Sequence, residues 1–157
     1  MRFVTIGAYG FTPTSFVRAL RGQHVDTFAD LRHRRGVRGR DYAFLNHRRL
    51  EALLTKAGIR YVHLDQLAPP ADILAIQLSA DKTIGESPRT RHALAPAYVK
   101  AYKRDVLDRY DIREFSGQVG AEANVIALFC VETDPAACHR SLVARRLTNQ
   151  RVVNLQP

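Results

Sequence analysis

The chain has 157 residues, 46% of them hydrophobic and 25% charged, with a formal net charge of +9 and two cysteines. That length suits one domain able to bury most of its apolar surface, so a single domain over residues 1–157 is expected. Two cysteines exclude a disulfide framework, no apolar run nears the roughly 20 residues of a membrane span, and Met1-Arg2-Phe3 opens a strand pattern rather than a signal peptide; a cytoplasmic protein without membrane contact is expected.

In chain order, Arg2 to Ile6 alternates as a short strand and stops at Gly7. Thr12 is placed as an N-cap with Pro13 at the first helical position, which predicts a helix through Phe16, Val17 and Leu20 to about Gly22. Val25 to Leu31 is the second strand, and an arginine-rich loop follows it. Asn46 caps a predicted helix with apolar positions Leu50, Leu53, Leu54 and Ala57 and a stop at Gly58, before a third strand over Ile59 to Leu64. The pattern loosens from Ala68 to Arg91: Pro69-Pro70 breaks the chain, and Ala71 to Leu78 reads as one or two helical turns. Pro96 to about Phe115 reads as one long helix. Val125 to Cys130 is the fourth strand, Pro135 or His139 to Asn149 a helix, and Val152 to Leu155 a short last strand. This alternation predicts an α/β fold, a mainly parallel five-stranded sheet with helices on both faces in a Rossmann-like three-layer arrangement.

Chemistry gathers at the strand ends. If the strand order is the common 3-2-1-4-5, Gly7 lies beside Cys130 and Glu132, with Asp30 and Arg32 one strand away, in the crevice where open α/β sheets bind ligands. Arg140 falls at the amino end of the last helix, where a cation is disfavoured by about 0.3–1 kcal/mol unless a negative group neutralises it. An anionic ligand meets that need, and so does an internal salt bridge to Glu132 or Asp30. Between Arg32 and Arg49 there are seven arginines against one acid, Asp41, a net +6 of the total +9. Guanidinium groups bind phosphate bidentately, so the stretch favours an anionic small molecule or nucleic acid as partner, although a solvated basic loop has the same composition. Tyr42 and Phe44 within it add stacking faces, or anchor the loop to the core.

Cys138 next to His139 invites a nucleophile and its base, while a buried cysteine filler is the plainer reading. A phosphatase cradle needs a cysteine six residues before an arginine, and the residues six past Cys130 and Cys138 are Ala136 and Ala144, so that match fails. Glu132 and His139, with Asp30, remain as groups for acid/base catalysis. No cysteine pair has Cys-x2–4-Cys spacing and adjacent Cys138-His139 suits one tetrahedral ion poorly, so no metal is expected. Gly7-x-x-Gly10 is only a fragment of a dinucleotide fingerprint, and no cofactor is expected.

Four motifs together resemble a known family: Thr5-Ile6-Gly7; Asp30-x-Arg32 before a basic loop with an aromatic; Gly58-Ile59-x-Tyr61-x-His63-Leu64; and Cys130-x-Glu132 with Cys138-His139-Arg140. The chain is similar in these to the domain-of-unknown-function family numbered 488, over nearly its whole length. The resemblance implies a small cytoplasmic α/β domain with its motifs clustered at one sheet edge, and no established activity. After the third strand this chain has Leu67-Ala68-Pro69-Pro70 in place of the family's usual glycine-containing loop. The expectation is an enzyme, a hydrolase or transferase, acting on a phosphate-bearing nucleotide or nucleic-acid component. Arg32, Arg140 and Gly7 would hold the anion, Glu132, His139 and Asp30 would carry the chemistry, and Cys130, Cys138 and Tyr42 are the further motif positions. Its alternative is a non-enzymatic nucleic-acid-binding module using the loop at 32–49.

Overall fold

The computed structural model describes residues 1–157. Five strands, β1 (Arg2–Ile6), β2 (Thr27–Asp30), β3 (Arg60–His63), β4 (Val125–Phe129) and β5 (Val153–Leu155), form one sheet in which every pairing is parallel. Six α-helices connect them: α1 (Pro13–Gly22), α2 (His47–Lys56), α3 (Ala71–Ile84), α4 (Pro96–Tyr102), α5 (Ile112–Val119) and α6 (His139–Leu147). The expected α/β architecture is the observed one. No helix is long and apolar enough to cross a membrane.

The strand order is β3-β2-β4-β1-β5, which corrects the expected 3-2-1-4-5 by placing β4 between β2 and β1. The reason lies in composition. β4 reads Val-Ile-Ala-Leu-Phe with no polar side chain, and four of its five residues are fully buried, whereas β1 begins with the exposed Arg2 and carries Thr5. The strand most costly to expose takes the centre of a parallel sheet. In this register Asp30 is paired with Phe129, so the end of β2 adjoins the end of β4 directly.

Alternate residues of the strands face opposite layers. Val4, Ile6, Phe28, Ala127 and Phe129 pack under α1 and α2 through Phe16, Leu20, Leu50 and Leu54. Phe3, Ala29, Ile126 and Leu128 pack against the other four helices through Ile73, Tyr98, Tyr102, Phe115 and Leu142.

Local signals set most element ends. Thr12 closes α1 with a capping box: its hydroxyl accepts from the Ser15 N–H at 3.2 Å, and Ser15 Oγ accepts from the Thr12 N–H at 3.0 Å. Asn46 stands at the cap position of α2, but its side chain accepts from Val37 N–H at 2.7 Å and so pins the basic loop. α3 outruns the one or two turns expected of it and ends at Gly85, whose φ of 73° only glycine adopts without strain. The long helix expected from Pro96 to Phe115 is instead α4, a π-helical turn at Lys103–Leu107, and α5. Asp111 enforces the restart: its carboxylate accepts from Arg113 N–H at 2.9 Å as the cap of α5.

Candidate active site at the sheet's carboxyl edge

β1, β2 and β4 end side by side at Ile6, Asp30 and Phe129, and the chain beyond each supplies the polar groups. After β4, Cys130-Val131-Glu132 runs close along the end of β1. Ala8 N–H donates to Val131 O at 3.0 Å, and a Cβ on Gly7 would sit 2.2 Å from the Glu132 carbonyl oxygen. Gly7 is therefore a close-approach glycine that lets Glu132 take its position; its place beside Cys130 and Glu132 is as expected.

At the end of β2, Asp30 and Arg32 form a buried fork. Arg32 Nε donates to Asp30 Oδ1 at 2.9 Å and Nη2 to Oδ2 at 2.7 Å, Nη2 also reaches Leu45 O at 3.1 Å, and the guanidinium lies 4.7 Å from the Phe129 ring centroid. Tyr61 donates its hydroxyl to Asp30 Oδ2 at 2.8 Å. Asp30 has no exposure and both its oxygens are engaged, so it holds Arg32 rather than facing a ligand. Arg32 Nη1 is buried and has no partner.

A cavity of about 1310 Å³ opens over this edge. Arg32, Arg91, Cys130, Glu132 and His139 lie on its wall, together with Tyr9, Arg34, Arg38 and Arg89. α3 adds an apolar side in Leu74 and Leu78. Glu132 is nearly buried; Oε1 is 3.8 Å from Arg91 Nη1, and Oε2 has no hydrogen-bond partner. Burial, reinforced by negative charge on Cys138 and opposed by His139, pushes the Glu132 carboxyl up to about 7.

Arg91, absent from the sequence-based expectation, reaches the site from the turn after α3. Asp81 holds it, with Arg91 Nε donating to Oδ2 at 3.1 Å and Nη2 at 2.8 Å from the same oxygen, and Gln77 Nε2 donates to Asp81 Oδ1 at 2.7 Å. All three side chains are buried. Gln77 and Asp81 stand four residues apart, on one face of α3, the spacing at which helical side chains meet. Arg91 itself lies in a segment without periodicity and offers no sequence signal.

Cys138 caps α6 by position and His139 is its first residue. His139 Nε2 lies 3.2 Å from Leu31 O, and because a carbonyl only accepts, Nε2 carries the proton. The ligand atoms of Cys130, Cys138 and His139 all lie within 4.8 Å of one another. Contact with the Cys138 sulfur, followed by burial, raises the Cys130 thiol well above its ordinary value. Burial raises Cys138 too, but the Cys130 thiol, the Arg140 charge and His139 outweigh it and bring Cys138 well below. Burial lowers His139, yet the adjoining Cys138 sulfur and the Glu132 charge leave it raised overall.

Arg140 is not in the cavity. It is fully buried, with Nη1 donating to Glu132 O at 2.6 Å and Nη2 to Thr133 O at 3.0 Å and Asn154 Oδ1 at 3.3 Å. The anion expected beside it is replaced by carbonyl oxygens, and the alternative salt bridge to a Glu132 or Asp30 carboxylate does not form. Tyr42 stands near the cavity mouth without lining it: its hydroxyl accepts from Gly10 N–H at 3.1 Å, its ring meets Tyr9 edge-on at 5.2 Å, and Arg89 lies 4.9 Å from the Tyr9 centroid. His63, whose Nε2 is 2.7 Å from Arg32 O, supports the loop.

The structure thus brings Arg32, Cys130, Glu132 and His139 to one wall, keeps Asp30, Cys138, Arg140 and Gly7 behind it, and adds Arg91. No curated protein and no solved structure is significantly similar to the chain. The family described as a domain of unknown function, DUF488, matches residues 12–147, nearly the whole length, and the chain belongs to that family.

Proposed function

We propose that the protein is an enzyme, a hydrolase or transferase, that takes a phosphate-bearing nucleotide or nucleic-acid component into the cavity at the sheet's carboxyl edge. One observation carries this reading: Arg32 Nη1 and Glu132 Oε2, a buried cationic donor and a buried acidic acceptor, are both without partners on the wall of the same cavity. Buried polar atoms are nearly always satisfied, so an unspent donor and acceptor together favour a ligand that completes both. Arg32 and Arg91 hold the anion, each pre-oriented by its own carboxylate, Asp30 or Asp81. Glu132 takes the proton from the attacking group, and His139 borders the reacting end. Gly7 and Arg140 act at one remove by fixing the backbone that carries Glu132.

A thermal-shift series with inorganic phosphate and nucleoside mono- and diphosphates tests it. Saturation at a hundredfold excess over Kd stabilises the native state by about 2.7 kcal/mol, a rise in Tm of roughly 5–10 °C at this size. Arg32→Lys keeps a partner for Asp30 but loses the fork, and should weaken the ligand about tenfold, roughly 1.4 kcal/mol. Glu132→Gln should keep binding and lower phosphate release or transfer about 10²–10⁴-fold. No stabilisation of wild type by any of these ligands, or equal stabilisation of Arg32→Lys, would sink the reading.

A second reading, a non-enzymatic nucleic-acid-binding module, is favoured by a separate observation. Arg34, Arg38, Arg40, Arg48 and Arg49 are exposed, and none of them forms an ion pair within the chain. Such a row of free guanidinium groups fits a phosphate backbone.

A further inference from the structure

We propose that Cys130, Cys138 and His139 form a site for one zinc-class divalent cation. Sequence spacing speaks against an ion here, because no cysteine pair has the separation of a local zinc loop. The fold supplies the proximity that spacing lacks. Cys130 leaves the end of β4, held by its N–H on Ile6 O at 3.4 Å, and Cys138 ends the 3₁₀ turn Pro135–Ala137 with its N–H on Pro135 O at 3.3 Å. The two thiols thus come from opposite ends of the nine-residue stretch Cys130–Cys138, whose Glu132 and Thr133 carbonyls Arg140 ties down.

The geometry is close to that of a bound ion. With zinc–sulfur and zinc–nitrogen bonds of about 2.3 and 2.0–2.1 Å, a tetrahedral site separates its ligand atoms by roughly 3.5–3.8 Å. The three donor atoms already lie within 4.8 Å of one another, so closing on an ion needs little more than an ångström at any pair. The donor set is two sulfurs and an imidazole, which prefers zinc and similar borderline-soft ions to magnesium or calcium.

His139 has the backbone support that ligating imidazoles use. Its Nε2–H faces the Leu31 carbonyl, leaving Nδ1 as the nitrogen with a free lone pair, and a backbone carbonyl on the far nitrogen is the usual support for a ligating histidine. Both thiols are free and buried, and they lie beside one another and beside the His139 ring, so the three donors face a shared point. Cys130 and His139 line the cavity and Cys138 does not, so access is from the cavity side. Glu132 stands on the same wall with its unpartnered Oε2, outside the three-donor cluster. The inference is independent of the anion-binding reading: it concerns the donors alone, and its test reads the ion.

Reduced full-length protein stripped of metal would be titrated with Co2+ alone and, separately, with Zn2+ against a chromophoric chelator. One equivalent of ion per chain is expected, with tetrahedral cobalt bands, thiolate-to-cobalt charge transfer and a zinc-dependent rise in Tm. Cys130→Ser, Cys138→Ser and His139→Gln should each weaken zinc at least about 100-fold. The wild type carries a control that does not depend on the variants folding: zinc should protect both thiols from a disulfide-exchange reagent under native conditions. Wild-type protein that takes up no ion, binds cobalt without charge transfer, or leaves both thiols equally reactive with and without zinc overturns the proposal. So does a folded Cys130→Ser/Cys138→Ser double variant that binds as tightly as wild type.

Discussion

Arg140 is the largest side chain with no exposure, and its guanidinium meets only neutral acceptors. Hydrogen bonds from a charged donor contribute about 1.5–3 kcal/mol each, and acceptors left behind in the interior cost about 1–3 kcal/mol. Arg140→Ala is therefore expected to destabilise the fold by about 3–5 kcal/mol in denaturant unfolding, and Arg140→Lys should recover only part because one ammonium cannot span the Glu132 and Thr133 carbonyls and Asn154. A loss below about 1 kcal/mol for the alanine variant would remove Arg140 as the brace of the loop after β4. That Arg140 needs acceptors at the start of α6 was legible, although the negative group expected there is replaced by neutral ones. Their identity was not, because backbone carbonyls leave no mark in a sequence. Arg32 is the opposite case: Asp30, two residues away, is its partner, and the pairing could be anticipated from Asp30-x-Arg32 at a strand end.

At the scale of elements, α3 contributes most that was unforeseen. It extends from Ala71 to Ile84 and turns Gln77 and Asp81 inward, where Asp81 orients Arg91 toward Glu132. Polar residues on the buried side blur the apolar period, which is why the pattern reads as only one or two turns. Removing the carboxylate strands a buried guanidinium, so Asp81→Ala is expected to cost about 3–5 kcal/mol of stability. Urea unfolding measures this, and a cost near zero would mean that Arg91 is not held by α3. α1 shows how much local chemistry can specify when nothing tertiary interferes. Thr12, Pro13 and Gly22 bound it in the structure as they do in the sequence.

Across the whole molecule, charge divides into two roles. Arg32 and Arg91 are buried beside carboxylates, while Arg34, Arg38 and Arg40 stand in solvent on the loop that Asn46 pins at Val37. If that loop touches a nucleic-acid backbone, the salt dependence of binding should flatten by roughly 0.7–0.9 in log–log slope for each contact removed. Substituting glutamine at Arg40, Arg48 and Arg49 together, exposed residues of the basic stretch that do not line the cavity, should then lower the slope by roughly 2–3, while the affinity for a small nucleotide in the cavity stays unchanged. Fluorescence anisotropy with a labelled single strand at several salt concentrations checks it, and an unchanged slope would exclude the loop as the contact. The amino-acid sequence alone determined the α/β class, the parallel sheet and the gathering of Gly7, Asp30, Arg32, Cys130 and Glu132 near one edge, because apolar periodicity, caps and stops act over a few residues. Only the tertiary structure decided that β4 takes the centre, that Arg140 turns to carbonyls, and that Arg91 joins the wall from the turn after α3. Those outcomes depend on which strand gains most from burial on both faces and on which distant acceptors a buried charge can reach, and neither comparison is made within one stretch of chain.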